Sequence, residues 1–194
     1  MRESTTAYVI LGLLATGGPM TGYEVRARVG RDFGHFWSES YGQLYPELKR
    51  LSAAGLAVPD GARGEAQAGK PYRITAEGRR ALAAWLEQAP AAERLRSELS
   101  LKLSLGRFLG ADALRAFVAA AARRAEERLE DLREREEAVI EGPLGTEDRV
   151  FALLALERSL ATAEAELDWS RRALAVVTTL EEEGPDGALR ALVG

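Results

Sequence analysis

Tyr41, Gln43, Tyr45, Lys49 and Arg50 crowd into ten residues and combine two phenols, one amide and two cations. A glutamine amide can satisfy both edge atoms of an adenine in a major groove, whereas phenol, ammonium and guanidinium groups hold phosphate oxygens. A second basic set, Arg63, Lys70 and Arg73, lies in a glycine-rich stretch where Asp60 and Glu65 are the nearby acids. Arg63 and Lys70 read as phosphate or minor-groove contacts, and Arg73 can instead pair locally. Without a frame to hold them, the first set is a solvated helix face with Tyr45 half packed, and the second is a charged loop.

Other chemistries find less support. The chain has no cysteine, which removes disulfides, thiolate metal sites and cysteine nucleophiles. His35, the one histidine, sits between Phe33 and Trp37 with no partner of the kind a catalytic base needs, so it reads as structural. Acids at 126, 127, 130, 131, 134, 136 and 137 alternate with Arg123, Arg124, Arg128, Arg133 and Arg135 at helical spacing, as on an ion-paired solvated surface. No phosphate loop, metal cluster or nucleophile–base pair stands out, so neither an enzyme nor a cofactor or metal site is expected.

Composition agrees with a folded, mainly helical protein: 46% of the 194 residues are hydrophobic and 29% charged. Net charge is −4, yet residues 1–85 hold eleven Lys/Arg against eight Asp/Glu, so the basic excess coincides with the candidate contacts. No apolar run reaches the ~18 residues of a membrane span, and the first residues lack the pattern of a signal peptide. A cytoplasmic location is expected.

The elements that must position these side chains are set by local signals. Residues 7–16 form a short apolar segment, helix or buried strand by periodicity alone, and the helix signals just downstream favour helix. Thr21-Gly22-Tyr23-Glu24 has the form of a capping box and starts a second helix running to about Asp32. Phe33, Gly34, Phe36 and Trp37 make a turn. A third helix begins between Ser40, the second candidate cap, and Gln43; Leu44, Leu48 and Leu51 form its buried stripe. Pro46 must lie in its first turn, and Gly55 ends it as a left-handed cap. Leu56-Ala57-Val58 and Tyr72-Arg73-Ile74-Thr75 read as two strands around an extended hairpin tip, and Thr75 caps a fourth helix that turns Leu82, Trp85 and Leu86 inward. The order describes a winged helix-turn-helix over residues 1–90.

Residues 91–194 have another character. A short helix near 99–109 precedes two long amphipathic patterns, Leu114 to Val139 and Leu153 to Val177, separated by Gly142-Pro143-Leu144-Gly145. They predict an antiparallel helical hairpin. Val150, Phe151 and Trp169 are left over from its internal seam and call for a further partner, which makes this region the expected dimerisation domain.

The stretch Leu44-Tyr45-Pro46-Glu47-Leu48-Lys49-Arg50-Leu51 with the subsequent Gly55-Leu56 resembles the recognition helix of the PadR-like regulators. Tyr8 to Leu14, Thr21 to Glu24, and Lys70-Pro71-Tyr72-Arg73-Ile74-Thr75-Ala76-Glu77-Gly78 are similar to that family's first two helices and its wing. The resemblance implies a homodimeric transcriptional regulator, usually a repressor, released from operator DNA by a small molecule or another signal; a two-fold dimer is expected to meet a palindromic double-stranded site. It supplies neither operator nor ligand. An aromatic or phenolic effector is expected in a pocket between winged domain and dimer arms, lined by Trp37, Trp85 or Trp169. The alternative is a winged-helix module that binds protein without reading DNA.

Overall fold

The structure is a computed structural model that describes residues 4–37, 43–60, 69–92 and 97–193. The chain divides into two compact units, Met1–Glu93 and Arg94–Gly194.

In the first unit, α1 (Thr5–Gly17) is buried on most sides through Ala7, Ile10, Leu11, Leu13 and Leu14, which is why its sequence lacks a polar face. The Ser4 hydroxyl caps it, accepting from the Ala7 N–H at 3.2 Å. α2 (Gly22–Arg28) starts with the expected capping box. The Thr21 hydroxyl accepts from the Glu24 N–H at 3.2 Å, and the Glu24 carboxylate accepts from the Thr21 N–H at 2.7 Å. The chain then widens into a π-helical turn, Val29–Phe33.

α3 (Leu44–Ala53) buries Leu44, Leu48 and Leu51. Gln43 is its cap residue and makes no side-chain cap bond; Ser40 lies outside the described residues. Gly55, at φ +72°, reverses the chain. Leu56 N–H then reaches Leu51 C=O at 3.0 Å, and Gly55 N–H reaches Ser52 C=O at 3.1 Å. This double bond pattern needs a left-handed residue, hence glycine.

β1 (Ala57–Pro59) and β2 (Tyr72–Ile74) pair antiparallel, with Ala57 opposite Ile74 and Pro59 opposite Tyr72. Met20 adds a third lane of one residue, exchanging both backbone bonds with Tyr72 at 2.9 and 2.7 Å. Thr75 ties the sheet to α4 (Ala76–Leu86): its hydroxyl accepts from Gly78 N–H at 3.0 Å and donates to the carbonyl of Gly55 at 2.8 Å. Gly78 is buried directly on the Leu56 carbonyl, where no side chain fits. Leu82 packs against the core and Trp85 stacks on Tyr8 with ring centroids 4.6 Å apart. Leu86 corrects the expectation: it is 66% exposed, because the inward face of α4 ends one residue earlier.

In the second unit, Ser97 caps α5 (Glu98–Ser104), and a 3-10 turn at Gly106–Phe108 comes next. The single short helix expected here is thus split at Leu105. α6 (Ala111–Glu141) and α7 (Thr146–Val193) form the antiparallel hairpin. Its seam holds Ala122, Ala125, Leu129, Leu132, Leu156, Ala163 and Leu167. Ser170 belongs to it as well, its buried hydroxyl donating to the Glu166 carbonyl at 2.8 Å. Ion pairs bridge the two helices at the surface: Arg115 with Glu181, Glu126 with Arg171, and Arg133 with Glu164. At the turn, the Arg149 guanidinium donates to the carbonyls of Gly142 and Leu144 at 2.9 and 3.0 Å. α7 is broken near its end, where Gly184 takes φ +75° ahead of Pro185. None of the helices, among the described residues, is long and apolar enough to cross a membrane.

Candidate nucleic-acid interface

Burial of the three leucines fixes which face of α3 meets solvent. Gln43, Tyr45, Pro46 and Lys49 are exposed, and Tyr45 and Lys49, four residues apart, share one side of the helix. Pro46 is the third residue of α3, so its missing N–H interrupts no helical bond, and it stiffens the end that carries Gln43 and Tyr45. Tyr41 lies outside the described residues, as does Arg63.

Tyr45 is only half exposed because one edge of its ring lies on Gly22 in the first turn of α2. This contact links the two helices of the motif. The tetrapeptide 21–24 signals its cap plainly, but its role as a seat for a ring 23 residues downstream carries no local signal. Tyr23, next to the seat, is 72% exposed and is a further outward phenol that sequence reasoning did not single out.

The cations differ in engagement. Arg50 forks onto Glu47 one turn back, with Nε to Oε2 at 3.0 Å and an Nη2 contact to Oε1 at 2.6 Å. Glu47 also accepts a hydrogen bond from the Ser4 hydroxyl at 2.5 Å, joining α3 to the start of α1. The Arg50 hydrogen bonds hold the Glu47 carboxyl below its ordinary range, with Ser4 assisting and desolvation opposing. Arg73 sits 3.4 Å from Asp60 across the strand pair, the local pairing that its sequence neighbourhood allows. Lys70, half buried, precedes β2, and Lys49 projects from the middle of α3.

The three tryptophans fall into different settings. Trp37 packs against the core of the first unit and Trp85 is stacked on Tyr8. Trp169, in the second unit, borders an open hollow of about 270 Å³ with Leu99, Ser100, Leu103 and Glu166. A larger groove of about 650 Å³ runs along the hairpin beside Glu126, Glu130, Glu134, Arg133 and Arg171. Its charges are those of the alternating run, several of them in the cross-hairpin ion pairs. His35 packs edge-on against Phe36, with centroids 4.6 Å apart, as part of the turn after α2. Among the described residues, no group of three or more potential ligands is placed to hold a metal ion.

Comparison with known proteins gives this geometry its context. Residues 10–84 match the family described as transcriptional regulator PadR-like, and residues 95–178 match that described as virulence activator alpha C-term. The negative transcriptional regulator PadR of Bacillus subtilis is 35% identical over 97 residues, 49% of this chain and 53% of that protein, so the match spans about half of the relative's length. Similarity of structure extends further. Bacillus subtilis PadR in complex with operator DNA superposes with a TM-score of 0.77 at 26% identity, covering 90% of this chain and 99% of that one. The same protein in complex with p-coumaric acid gives 0.75 at 25% identity, again over 90% and 99%. The Vibrio cholerae virulence activator AphA gives 0.71 at 28% identity over the same shares. These relatives are transcriptional regulators, not enzymes.

Proposed function

The chain belongs to the PadR-like family of transcriptional regulators, and we propose that it is a sequence-specific DNA-binding repressor acting as a homodimer in the cytoplasm. The observation that carries this reading is α3. It turns Gln43, Tyr45 and Lys49 to solvent opposite a buried leucine stripe, in a chain whose counterpart in Bacillus subtilis was solved on operator DNA. In this reading Gln43 reads a base edge, and Tyr41, Tyr45 and Lys49 hold phosphates on either side of the groove. Arg63 and Lys70 reach the backbone from the wing. Arg50 and Arg73 contribute only when DNA displaces Glu47 and Asp60 from them.

Residues 1–90 are the DNA-binding domain and residues 91–194 the dimerisation domain. Exposed Val150, Phe151 and Leu154 on α7 supply an apolar face suited to a second copy. A palindromic operator then matches the two-fold symmetry of the dimer. Binding of an aromatic small molecule causes release, since the Bacillus subtilis relative was solved with p-coumaric acid. Trp37, Trp85 and Trp169 are the side chains whose fluorescence would report it.

The test is titration of variants on an operator selected from a random duplex library. Lys49→Ala should weaken binding to operator and mixed-sequence DNA alike, reducing the salt dependence by about one unit of slope. Gln43→Ala should cost selectivity at one base position per half-site, on the order of 1–3 kcal/mol. Folded variants that both keep wild-type affinity would move the reading toward a protein-interaction module.

A further inference from the structure

Gly22 presents a local contradiction. It lies in the first turn of α2, and its φ is not in the left-handed region that calls for glycine. Glycine is worse than alanine by up to about 1 kcal/mol inside a helix and by less in its first turn, and nothing in the backbone of Gly22 offsets that cost. What an alanine methyl would displace first is the ring of Tyr45. A Cβ built on Gly22 would overlap Cε1 of Tyr45, lie 2.9 Å from Cδ1 and 3.2 Å from Cζ, and these three are its nearest atoms. The contact runs along one edge of the ring as far as the carbon that bears the hydroxyl. The phenol is therefore held at the junction of the first turns of α2 and α3. In this docking class one of these helices crosses the phosphate backbone while the other enters the groove.

We infer that Gly22 is a positioning residue: its bare Cα is the seat that aims the Tyr45 hydroxyl at a DNA phosphate. The inference rests on the reading of α3 as the DNA-contacting helix and goes beyond it by assigning a role to a buried glycine outside α3. A ring pushed off the seat swings its oxygen further than Cε1, by roughly one and a half times, because the side chain pivots about Cα–Cβ. Hydrogen bonds to phosphate tolerate only a few tenths of an ångström.

The experiment uses the full chain and mixed-sequence duplex DNA at fixed salt, since a phosphate contact is independent of sequence. Tyr45→Phe keeps the ring on its seat and removes only the oxygen. It should lower affinity about fivefold with unchanged thermal stability. Gly22→Ala should lower affinity by a similar factor, and the double variant Gly22→Ala/Tyr45→Phe should lose no more than the worse single one, because both act on one hydrogen bond. Should Gly22→Ala alone unfold, the pair Gly22→Ala/Tyr45→Ala removes the ring and should restore stability while binding like Tyr45→Ala.

Three results would overturn the inference: Tyr45→Phe binding as wild type, losses that multiply in the double variant, or Gly22→Ala folding stably with unaltered affinity. Lys49→Ala separates the failure of the seat from the failure of the helix. If Lys49→Ala weakens binding and Tyr45→Phe does not, the seat is structural only and α3 remains the reader. If neither variant weakens binding, the reading of α3 itself fails.

Discussion

Replacing Glu47 by Gln should make the protein bind DNA more tightly and fold less stably. Glu47 lies on the candidate reading helix, its side chain 13% exposed and forked by Arg50. Gln keeps the shape and an oxygen for the Ser4 hydroxyl but removes the charge. With α3 on DNA as proposed, that charge would face phosphates at a distance on the order of 10 Å. In water each costs roughly 0.4 kcal/mol, and two or three such phosphates bring the total to about 1 kcal/mol before screening. Affinity should therefore rise about fivefold at low salt and about twofold near 0.1 M, where the Debye length is about 10 Å. Arg50, released from its carboxylate, becomes available to one further phosphate, so the logarithmic salt slope should steepen by about 0.9.

On stability the sign reverses. A partly exposed Arg–carboxylate pair contributes about 0.5–1 kcal/mol, which the variant loses at neutral pH. The Glu47 carboxyl is held below its ordinary 4.5 chiefly by Arg50, so its contribution is complete above that value and fades as pH falls through the lower, folded one. Wild type and variant should thus differ in thermal midpoint at pH 7 and converge as acid protonates the carboxyl. Fluorescence anisotropy across a salt series and calorimetry at both pH values measure the two effects. A folded Glu47→Gln that binds DNA more weakly would refute the reasoning, since Glu47 would then be presenting Arg50 to DNA rather than withholding it.

Gly78→Ala should destabilise the chain by about 1–3 kcal/mol, seen in its thermal midpoint, because the added methyl meets the Leu56 carbonyl rather than a movable side chain. Leu132→Ala should cost about 2–5 kcal/mol. Leu132 is fully buried in the hairpin seam, and hydrogen exchange should accelerate in α6 and α7 while α1 and α3 stay protected. Phe151→Glu, at a 63% exposed position, should leave the thermal midpoint of the isolated fold nearly unchanged but shift sedimentation from dimer to monomer. A stable dimer in that variant would place the seam elsewhere.

Legibility in the sequence depends on the range of the interaction. The Thr21–Glu24 capping box, the cap at Thr75, the glycine reversal at Gly55 and the leucine stripe of α3 are all decided within a few residues, and each stands where its pattern puts it. The hairpin seam is legible for another reason: two periodic stripes separated by one Gly/Pro turn have a single antiparallel register that buries both. Contacts between distant segments carry no such signal. Ser4 reaches Glu47 across 43 positions, Tyr45 rests on Gly22, and Met20 adds a lane to the wing by a one-residue bridge. Periodicity also cannot say where a buried face stops. Leu82, Trp85 and Leu86 share a stripe, yet Leu82 packs against the core, Trp85 stacks on Tyr8, and Leu86 is left exposed. The break at Gly184–Pro185 has a plain local signature, but it lies past Val177, the last heptad position.

The pairing of cations on the first unit bears on how selectivity is achieved. A net-negative chain gains little non-specific attraction from its total charge, so what matters is which cations DNA meets at once. Arg50 and Arg73 are each committed to a carboxylate, and exchanging that partner for a phosphate replaces one ion pair by another with little net gain. In the proposed reading, affinity for arbitrary sequence on this face of α3 then rests on Lys49 and on neutral donors such as Tyr45. These position the helix without telling one base from another. If Gln43 reads a base as proposed, that reading is added to a weak background rather than to a strong one, and the ratio of specific to non-specific binding rises even though the total affinity does not. In the proposed reading, Glu47 and Asp60 are thus as much a part of recognition as the cations they pair with, and they would keep the protein off DNA that Gln43 does not match.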